Sequence, residues 1–576
     1  MQTTPAALIS HNRANGFWGD TRITDLFDIA VEKHPQRIAL VDPPNRTALV
    51  GGTPLRLSFQ ALAIRVQGYA LRLRELGLGR NDILITQLPN IAEYPAVYLA
   101  AARLGIILSP VPMQFQNQEL QQIIKITCAR ALLTVAKFKD ALPYSLLLDS
   151  SVLGNTKQLI LCEAEVGNDY SGNENGPMSV FPAKATSTNI TELTHYLNEH
   201  SPSADDVMTI CWTSGTEGTP KGVPRTHNHW HAISHAHFEG AGLREGDVLL
   251  NPFPLINMAA IGGCFMSWLH ARGTLVLHHP LELSVYLTQI ATEKPNYAIA
   301  PPAVLNMLLK DDRLLTGVDL SSLRCIGSGS APLEPAMIQG YADRFNIEIV
   351  NMFGSNEGMS LVSGKREAPD SAQRARFFPR FGRNEVFWPH RSAKLIETRI
   401  VNVNTGREIL AAGEAGEMQI RGPTVFDGYF AAPEITRQSF TDDGFFRTGD
   451  LFEISGTDSV PRYYRFVGRL KQVIIRGGVK ISPEELDDVL CSHPEILEGC
   501  IVGVSDEILG ERIGAVVVLR AGKKLELSIL KKFFSDAGLA IFKSPERLLI
   551  TENLPRNALG KIVRSEVVKI INNQKF

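Results

Sequence analysis

Polybasic blocks, paired cysteines and unbroken apolar runs are all missing from this 576-residue chain, and each absence closes a class of function. Lys plus Arg number 58 against 60 Asp plus Glu, a formal net charge of -2 without a basic cluster, so recognition of nucleic acid through bulk charge is not expected. The seven cysteines, at 128, 162, 211, 264, 325, 491 and 500, are odd in number and scattered without a C-x-x-C pair. That spacing supports neither a disulfide framework nor a zinc knuckle and suits a reducing compartment. The longest apolar stretches, around 95–113 and 256–277, are broken by Arg103 and by His270 and Arg272, whereas a membrane span needs about 20 uninterrupted apolar residues. The opening MQTTPAALISHNRANGFW has no charged segment leading into an apolar core, so it does not read as a secretory leader. No repeat of fixed period is visible. With 44% apolar and 20% charged residues, the expectation is a soluble, cytoplasmic chain with more than one core.

What is present is an alternation of elements. From Thr21 to about Ala136, helical patterns such as FQALAIRVQGYALRLREL alternate with short apolar runs (RIALV, DILITQL, ARALLTV), which predicts βα units and a largely parallel sheet. Residues 163–205 are polar and read as a loop. A second alternating region, 206–353, carries the strands VMTICW, TLVLHH, YAIAPP, LRCIGSG and EIVNMFG. Residues 365–390 lack periodicity and read as irregular; 393–466 reads as a smaller β-rich unit, and the segment after Lys471 as a compact α+β domain. The expected fold is α/β: a large N-terminal region of several subdomains (1–470) with mostly parallel sheets and a β-rich subdomain, followed by a small, mobile α+β domain (471–576).

The most informative segment is TICWTSGTEGTPKGVPRTHNH, 209–229. A strand ends in a run holding Gly215, Gly218 and Gly222, the hydroxyls of Thr213, Ser214, Thr216 and Thr219, and Lys221. Glycines let backbone N–H groups close on an anion, hydroxyls add donors and Lys adds charge, which is phosphate-cradle chemistry. The standard G-x-x-x-x-G-K-[ST] loop does not fit, because Pro220 stands where its second Gly belongs. That argues against a kinase or ATPase of the ordinary P-loop kind. The alternative is a polar turn after a strand.

TSGTEGTPKG resembles the phosphate-loop signature of the adenylate-forming enzymes: acyl- and aryl-CoA synthetases, peptide-synthetase adenylation domains and firefly luciferase. Further segments match in order, from about Thr21 to Val568. GSGSAPL, 327–333, resembles the turn against adenine and so implicates Ser330, Ala331 and Pro332. NMFGSNEG, 351–358, resembles the next core motif; it implies Asn351 and Phe353 beside the nucleotide, Asn356 near the α-phosphate and Glu357 as the Mg²⁺ ligand. FFRTGDL, 445–451, implies Asp450 on the ribose hydroxyls. FVGRLKQVIIRGGVKISPEEL, 466–486, implies Arg469 at ribose or phosphate, Lys471 as hinge, and Gly477 and Gly478 as the loop of the thiol step. RGPTVFDGYF, 421–430, is also typical of the family, and the resemblance implies a structural role for it. LPRNALGKIVR, 554–564, resembles the segment carrying the catalytic lysine, here Lys561. Candidate walls for the acid are Asn257, Gly263, Gly329 and Gly354. The chain departs from the usual pattern at Glu217, at Asn356 (usually Thr) and at Asn257 (often His).

The resemblance implies an ATP-dependent acid–thiol ligase using ATP, Mg²⁺ and coenzyme A, with a fatty, alicyclic or aryl acid as substrate. Alternatives are a stand-alone enzyme loading a carrier protein and a non-catalytic nucleotide-binding relative. His227, His229, His231, His235 and His237 form a separate cluster whose helical spacing suits a metal. No carboxylate or Cys lies within it, which favours a partly buried, hydrogen-bonded helix.

Overall fold

The computed structural model describes residues 1–141, 143, 158–162, 178–180, 186–213, 220–329, 332–456, 460–476, 479–506, 508–537, 539, 541–557 and 561–574. The chain divides into two compact units. One comprises Met1–Ala375, Phe381–Glu397 and Arg421–Gly444; the other comprises Arg376–Arg380, Thr398–Ile420 and Phe445–Phe576.

The first unit is built on two sheets. The eight-stranded sheet runs in the order Ser360–Ser363, Glu348–Gly354, Cys325–Gly329, Tyr297–Ile299, Val248–Asn251, Thr274–Leu277, Ile38–Val41, Arg56–Ser58. Its pairs are parallel except at the two edges, where Ser360–Ser363 and Arg56–Ser58 run antiparallel to their neighbours. The seven-stranded sheet runs Met178–Val180, Gln158–Cys162, Ala131–Val135, Ile83–Gln87, Ile107–Pro110, Val207–Thr213, Lys221–Thr226, with only the last pair antiparallel. Helices complete the βα pattern. Phe59–Glu75 starts where the Ser58 hydroxyl accepts the Ala61 N–H at 3.1 Å, and it buries Phe59, Leu62, Val66, Tyr69 and Leu73 along one face. Glu93–Leu104 is buried on every side save at Arg103. One apolar cluster takes Leu84, Leu108 and Met208 from the seven-stranded sheet, Leu40, Leu249 and Leu275 from the eight-stranded one, and both of these helices. The core therefore lies between two sheets with helices as the filling, as layered α/β packing requires.

The second unit holds two five-stranded sheets. One is ordered Phe377–Pro379, Tyr463–Arg469, Phe446–Ser455, Ala415–Arg421, Glu397–Val401. The other is ordered Val479–Ile481, Ile474–Arg476, Gly510–Leu519, Ile496–Asp506, and Arg547–Ile550 adds in parallel to Gly510–Leu519. Along Ile496–Asp506 the side chains alternate. Ile501 packs with Leu486, Leu490, Leu530 and Phe534 on one face, while Cys500, Val502 and Val504 pack with Val567 and Ile571 on the other.

Two expectations are corrected. Within 163–205, Ser187–His200 is a helix, begun by Thr186, whose hydroxyl accepts the Asn189 N–H at 3.3 Å. Of its residues only Leu193 is buried, so no apolar stripe announced it. Within 365–390 lie a short helix, Ser371–Arg376, and the strand Phe377–Pro379.

Candidate functional site

The candidate residues of the first unit sit on a strand hairpin and the loop that faces it. Val207–Thr213 and Lys221–Thr226 pair in antiparallel register with Thr213 opposite Lys221. Ser214, Gly215, Thr216, Glu217, Gly218 and Thr219, the expected phosphate cradle, lie outside the described residues, as do Ser330, Ala331, Gly477 and Gly478. Lys221 makes no ion pair among the described residues; its Nζ lies 5.1 Å from the centre of the Tyr429 ring, within cation–π range.

Beyond the strand Glu348–Gly354 the chain turns at 355–358 and delivers Glu357. Ser355 N–H donates to Met359 O and Gly358 N–H to Ser355 O, at 3.1 and 3.0 Å. Gly358 has φ +122°, and a β-carbon there would collide with the Thr424 carbonyl and lie 2.6 Å from Val425 Cα. Only glycine permits both that dihedral and that approach. The approach is held by hydrogen bonds. Phe426 N–H donates to Glu357 O at 3.0 Å. Buried Arg225 donates through Nε to Asn356 O at 2.9 Å, again to Asn356 O through a second guanidinium nitrogen, and to Thr424 O at 2.7 Å. Burial without a carboxylate partner pulls its pKa down to about 10. At the end of the clamped segment the Tyr429 hydroxyl donates to Glu357 Oε1 at 3.0 Å. Phe430 N–H donates to Gly222 O at 2.8 Å and fixes the same segment beside Lys221. Tyr429, within RGPTVFDGYF, and Arg225, which no motif marks, thus hold the turn that carries Glu357.

Two of the expected nucleotide contacts hydrogen-bond to the protein backbone. Asn356 spends its amide on the protein: Nδ2 donates to Trp212 O at 3.2 Å, and Oδ1 accepts the Met258 N–H at 2.9 Å. Asn351 is buried and its Nδ2 donates to Arg374 O and Ala375 O at 3.1 and 3.0 Å. Phe353 is half-buried and Pro332 exposed.

The candidate acid walls are close-packed. Asn257 caps the short helix Met258–Ala260, its Oδ1 accepting the Ala260 N–H at 3.2 Å. A π-helical stretch, Ile261–Met266, follows and carries Gly263. A β-carbon on Gly263 would sit 3.3 Å from His237 Cδ2 and 3.5 Å from Ile299 Cδ1. On Gly329 it would strike the Met352 carbonyl, and on Gly354 the Met258 methyl. The space left by Gly354 is thus filled by a flexible thioether side chain.

The His cluster is the N-capped helix His227–Gly240. His227 Nδ1 accepts the Ile23 N–H at 3.3 Å, His237 Nδ1 donates to Ile233 O at 3.1 Å, and His231 Nδ1 lies 3.4 Å from His270 Nε2. Burial lowers His227 to about 3 and both His231 and His235 to about 4, so these rings are neutral. Among the described residues no three His, Cys, Asp or Glu side chains converge as a metal site.

In the second unit, Asp450 and Arg469 face each other in register across neighbouring strands, with Arg469 Nε 3.1 Å from Asp450 Oδ1. Asp450 is buried and Arg469 exposed. Asn557 donates its N–H to Lys561 O at 2.9 Å and accepts the Lys561 N–H on Oδ1 at 3.0 Å. The Lys561 ammonium is exposed but crowded. Desolvation and then the charge of Arg469 lower its pKa, against the pull of Asp450. The structure thus brings Asp450, Arg469 and Lys561 into one electrostatic neighbourhood. Lys471 lies in the single turn Leu470–Gln472 that follows Arg469.

The model of the AMP-binding enzyme family matches residues 27–430, and that of the AMP-binding enzyme C-terminal domain matches 485–561. The medium-chain fatty-acid–CoA ligase of Escherichia coli (strain K12) is 29% identical, over 96% of this chain and 90% of its own. Pyochelin synthase PchD of Pseudomonas aeruginosa is 26% identical, over 98% and 95%. The amide bond synthetase McbA from Marinactinospora thermotolerans shares the fold, with a TM-score of 0.76, 21% identity, and coverage of 95% of this chain and 99% of its own. The chain belongs to the AMP-binding enzyme family.

Proposed function

We propose that this protein is an ATP-dependent acid–thiol ligase of the acyl-CoA synthetase type. It activates a carboxylic acid as the acyl-adenylate with release of pyrophosphate, then transfers the acyl group to the thiol of coenzyme A. The observation that carries this reading is the meeting of Lys221 and Glu357 on Tyr429, at the foot of the Gly/Ser/Thr hairpin. An ammonium without an ion pair among the described residues and a carboxylate, both held on Tyr429, suit a polyphosphate with its divalent cation. The likeness to the E. coli medium-chain fatty-acid–CoA ligase supports the reaction class.

Glu357 fits a magnesium ligand. It is a hard oxygen donor, held through one oxygen by Tyr429, and among the described residues no cation pairs with it. Bound with ATP, Mg²⁺ supplies neutralisation of phosphate charge.

In the first step a carboxylate oxygen bonds to the α-phosphorus, the bond to the bridging oxygen breaks, and pyrophosphate leaves with the electron pair. Nucleophile and phosphate are both anions, so the protein's task is electrostatic. Lys221 and Lys561 contribute positive charge, Asp450 accepts the ribose hydroxyls, and Arg469 lies beside it. In the second step the thiol loses its proton, its sulfur attacks the acyl carbon, and AMP departs. We assign Lys471 as the hinge between residues 1–470 and 471–576, with Gly477 and Gly478 serving the thiol step. The phosphopantetheine of a carrier protein is the second acceptor to be tested. Pyrophosphate release over a panel of fatty, alicyclic and aryl acids tests the first step. Mass detection of thioester, with CoA or with a pantetheinylated carrier, tests the second. Nucleotide binding without acid-dependent pyrophosphate release overturns the proposal.

A further inference from the structure

Tyr429 touches both candidate charges of the first unit, and no role in the reaction attaches to it from the sequence. Its hydroxyl donates to Glu357 Oε1 at 3.0 Å. The face of its ring lies 5.1 Å from Lys221 Nζ. Its own position is fixed from several sides. The Phe426 ring packs edge-on at 4.8 Å, Thr436 Oγ1 accepts the Tyr429 N–H at 2.9 Å, and Phe430 is tied to Gly222. Arg225 and Gly358 lock the Glu357 turn against the same segment. A phenol is protonated at neutral pH, so the hydroxyl is a donor to the carboxylate.

The arrangement solves a physical problem. A free Lys and Glu at the mouth of one hairpin gain by pairing with each other, and a collapsed pair presents neither charge to a ligand. Here the carboxylate takes its hydrogen bond from a neutral phenol and the ammonium rests on the ring face. Each charge is partly satisfied and neither is cancelled. We propose that Tyr429 is a positioning residue for the adenylation step, holding Glu357 for the divalent cation and Lys221 for the phosphates while keeping the two from neutralising each other. This rests on the ligase reading for its role in turnover, but its binding consequences can be measured without turnover.

The probe is Mn²⁺ with ATP and no acid, followed by the electron paramagnetic resonance signal of free Mn²⁺, on the full chain. Tyr429→Phe keeps the ring and removes the hydroxyl. The expected result is about tenfold weaker Mn²⁺ binding in the presence of ATP, the low end for a lost hydrogen bond to a charged group, with ATP binding in the absence of metal nearly unchanged. Tyr429→Leu removes the ring too, and metal-free ATP binding then weakens about two- to fivefold. In a Glu357→Gln background the Tyr429→Phe change should have no further effect on Mn²⁺. Thermal melting of each variant checks that it is folded; if Tyr429→Leu melts below the assay temperature, the Tyr429→Phe and Glu357→Gln cycle decides alone. Wild-type Mn²⁺ affinity in folded Tyr429→Phe, or the same loss with and without Glu357, overturns the assignment. Absence of acid-dependent pyrophosphate release from the wild-type protein overturns the ligase reading instead, and leaves the Mn²⁺ result to stand by itself.

Discussion

Asn356 holds Met258: its side-chain oxygen accepts the Met258 backbone N–H at 2.9 Å, while its amide nitrogen reaches Trp212 O at 3.2 Å. One side chain thereby ties the Glu357 turn, the end of a hairpin strand and the start of the helix beside the candidate acid walls. The Met258 side chain fills the space over Gly354, so the flexible thioether, and not the backbone, is the adjustable part of that wall.

Met258→Ala keeps the backbone hydrogen bond and removes the filling. Met258 is buried, so a loss of about 2 kcal/mol of stability is expected, with preference moving toward bulkier acids. Melting temperature and kcat/KM across a graded acid series check this; an unchanged ranking of acids removes Met258 from the acid pocket.

Asp450→Ala tests the ribose contact. A charge-assisted hydrogen bond is worth about 1.5–3 kcal/mol, so the KM for ATP should rise about tenfold to a hundredfold with the melting temperature little changed. Unaltered ATP dependence would remove Asp450, the neighbour of Arg469 at 3.1 Å, from the ribose site.

Lys561→Ala separates the half-reactions. Acid-dependent pyrophosphate release should fall on the order of 10²–10³, the typical effect of losing one preorganised charged donor. Conversion of supplied acyl-adenylate plus CoA to thioester should persist. Equal loss in both assays would contradict an alternating role for the lysine.

Stability should fall as pH drops from about 6.5 toward 4. Burial depresses His227 to about 3 and His231, His235 and His279 to about 4, and lowers His229, His237 and His270 as well. Each contributes stability fully present above the unfolded pKa and lost as pH falls through the window to the folded one. Asp42, Asp427, Asp487 and Asp488, raised to about 6, act in the opposite sense because protonation relieves their burial. The histidines outnumber them, and each net proton is worth about 1.4 kcal/mol per pH unit. A melting series from pH 7.5 to 4.5 should show the decline, and it should be shallower in His231→Asn/His235→Gln; a flat or rising curve would mean that the carboxylates dominate.

Local pattern alone determined much of this protein. Alternating apolar runs predicted the strands Val207–Thr213, Thr274–Leu277, Cys325–Gly329 and Glu348–Gly354, and the Gly/Ser/Thr/Lys run located the hairpin that carries Lys221. These are decided within a few residues, by side-chain period and by backbone freedom at glycine. Which strands share a sheet was decided only in three dimensions. Ile38–Val41 pairs on one side with the next strand in sequence, Arg56–Ser58, and on the other with the distant Thr274–Leu277, Leu40 opposite Leu275, because long-range pairing depends on which faces can be buried together. The partners of the candidate residues are of the same kind. Nothing in the local sequence sets Arg225 apart from the other cations, and its burial follows from carbonyls that the fold brings from 356 and 424. Tyr429 stands in sequence only as part of the RGPTVFDGYF motif, yet its hydroxyl finds a carboxylate 72 residues away. Residue type set what each group can do; the tertiary fold, by choosing which groups meet out of water, set what each one does.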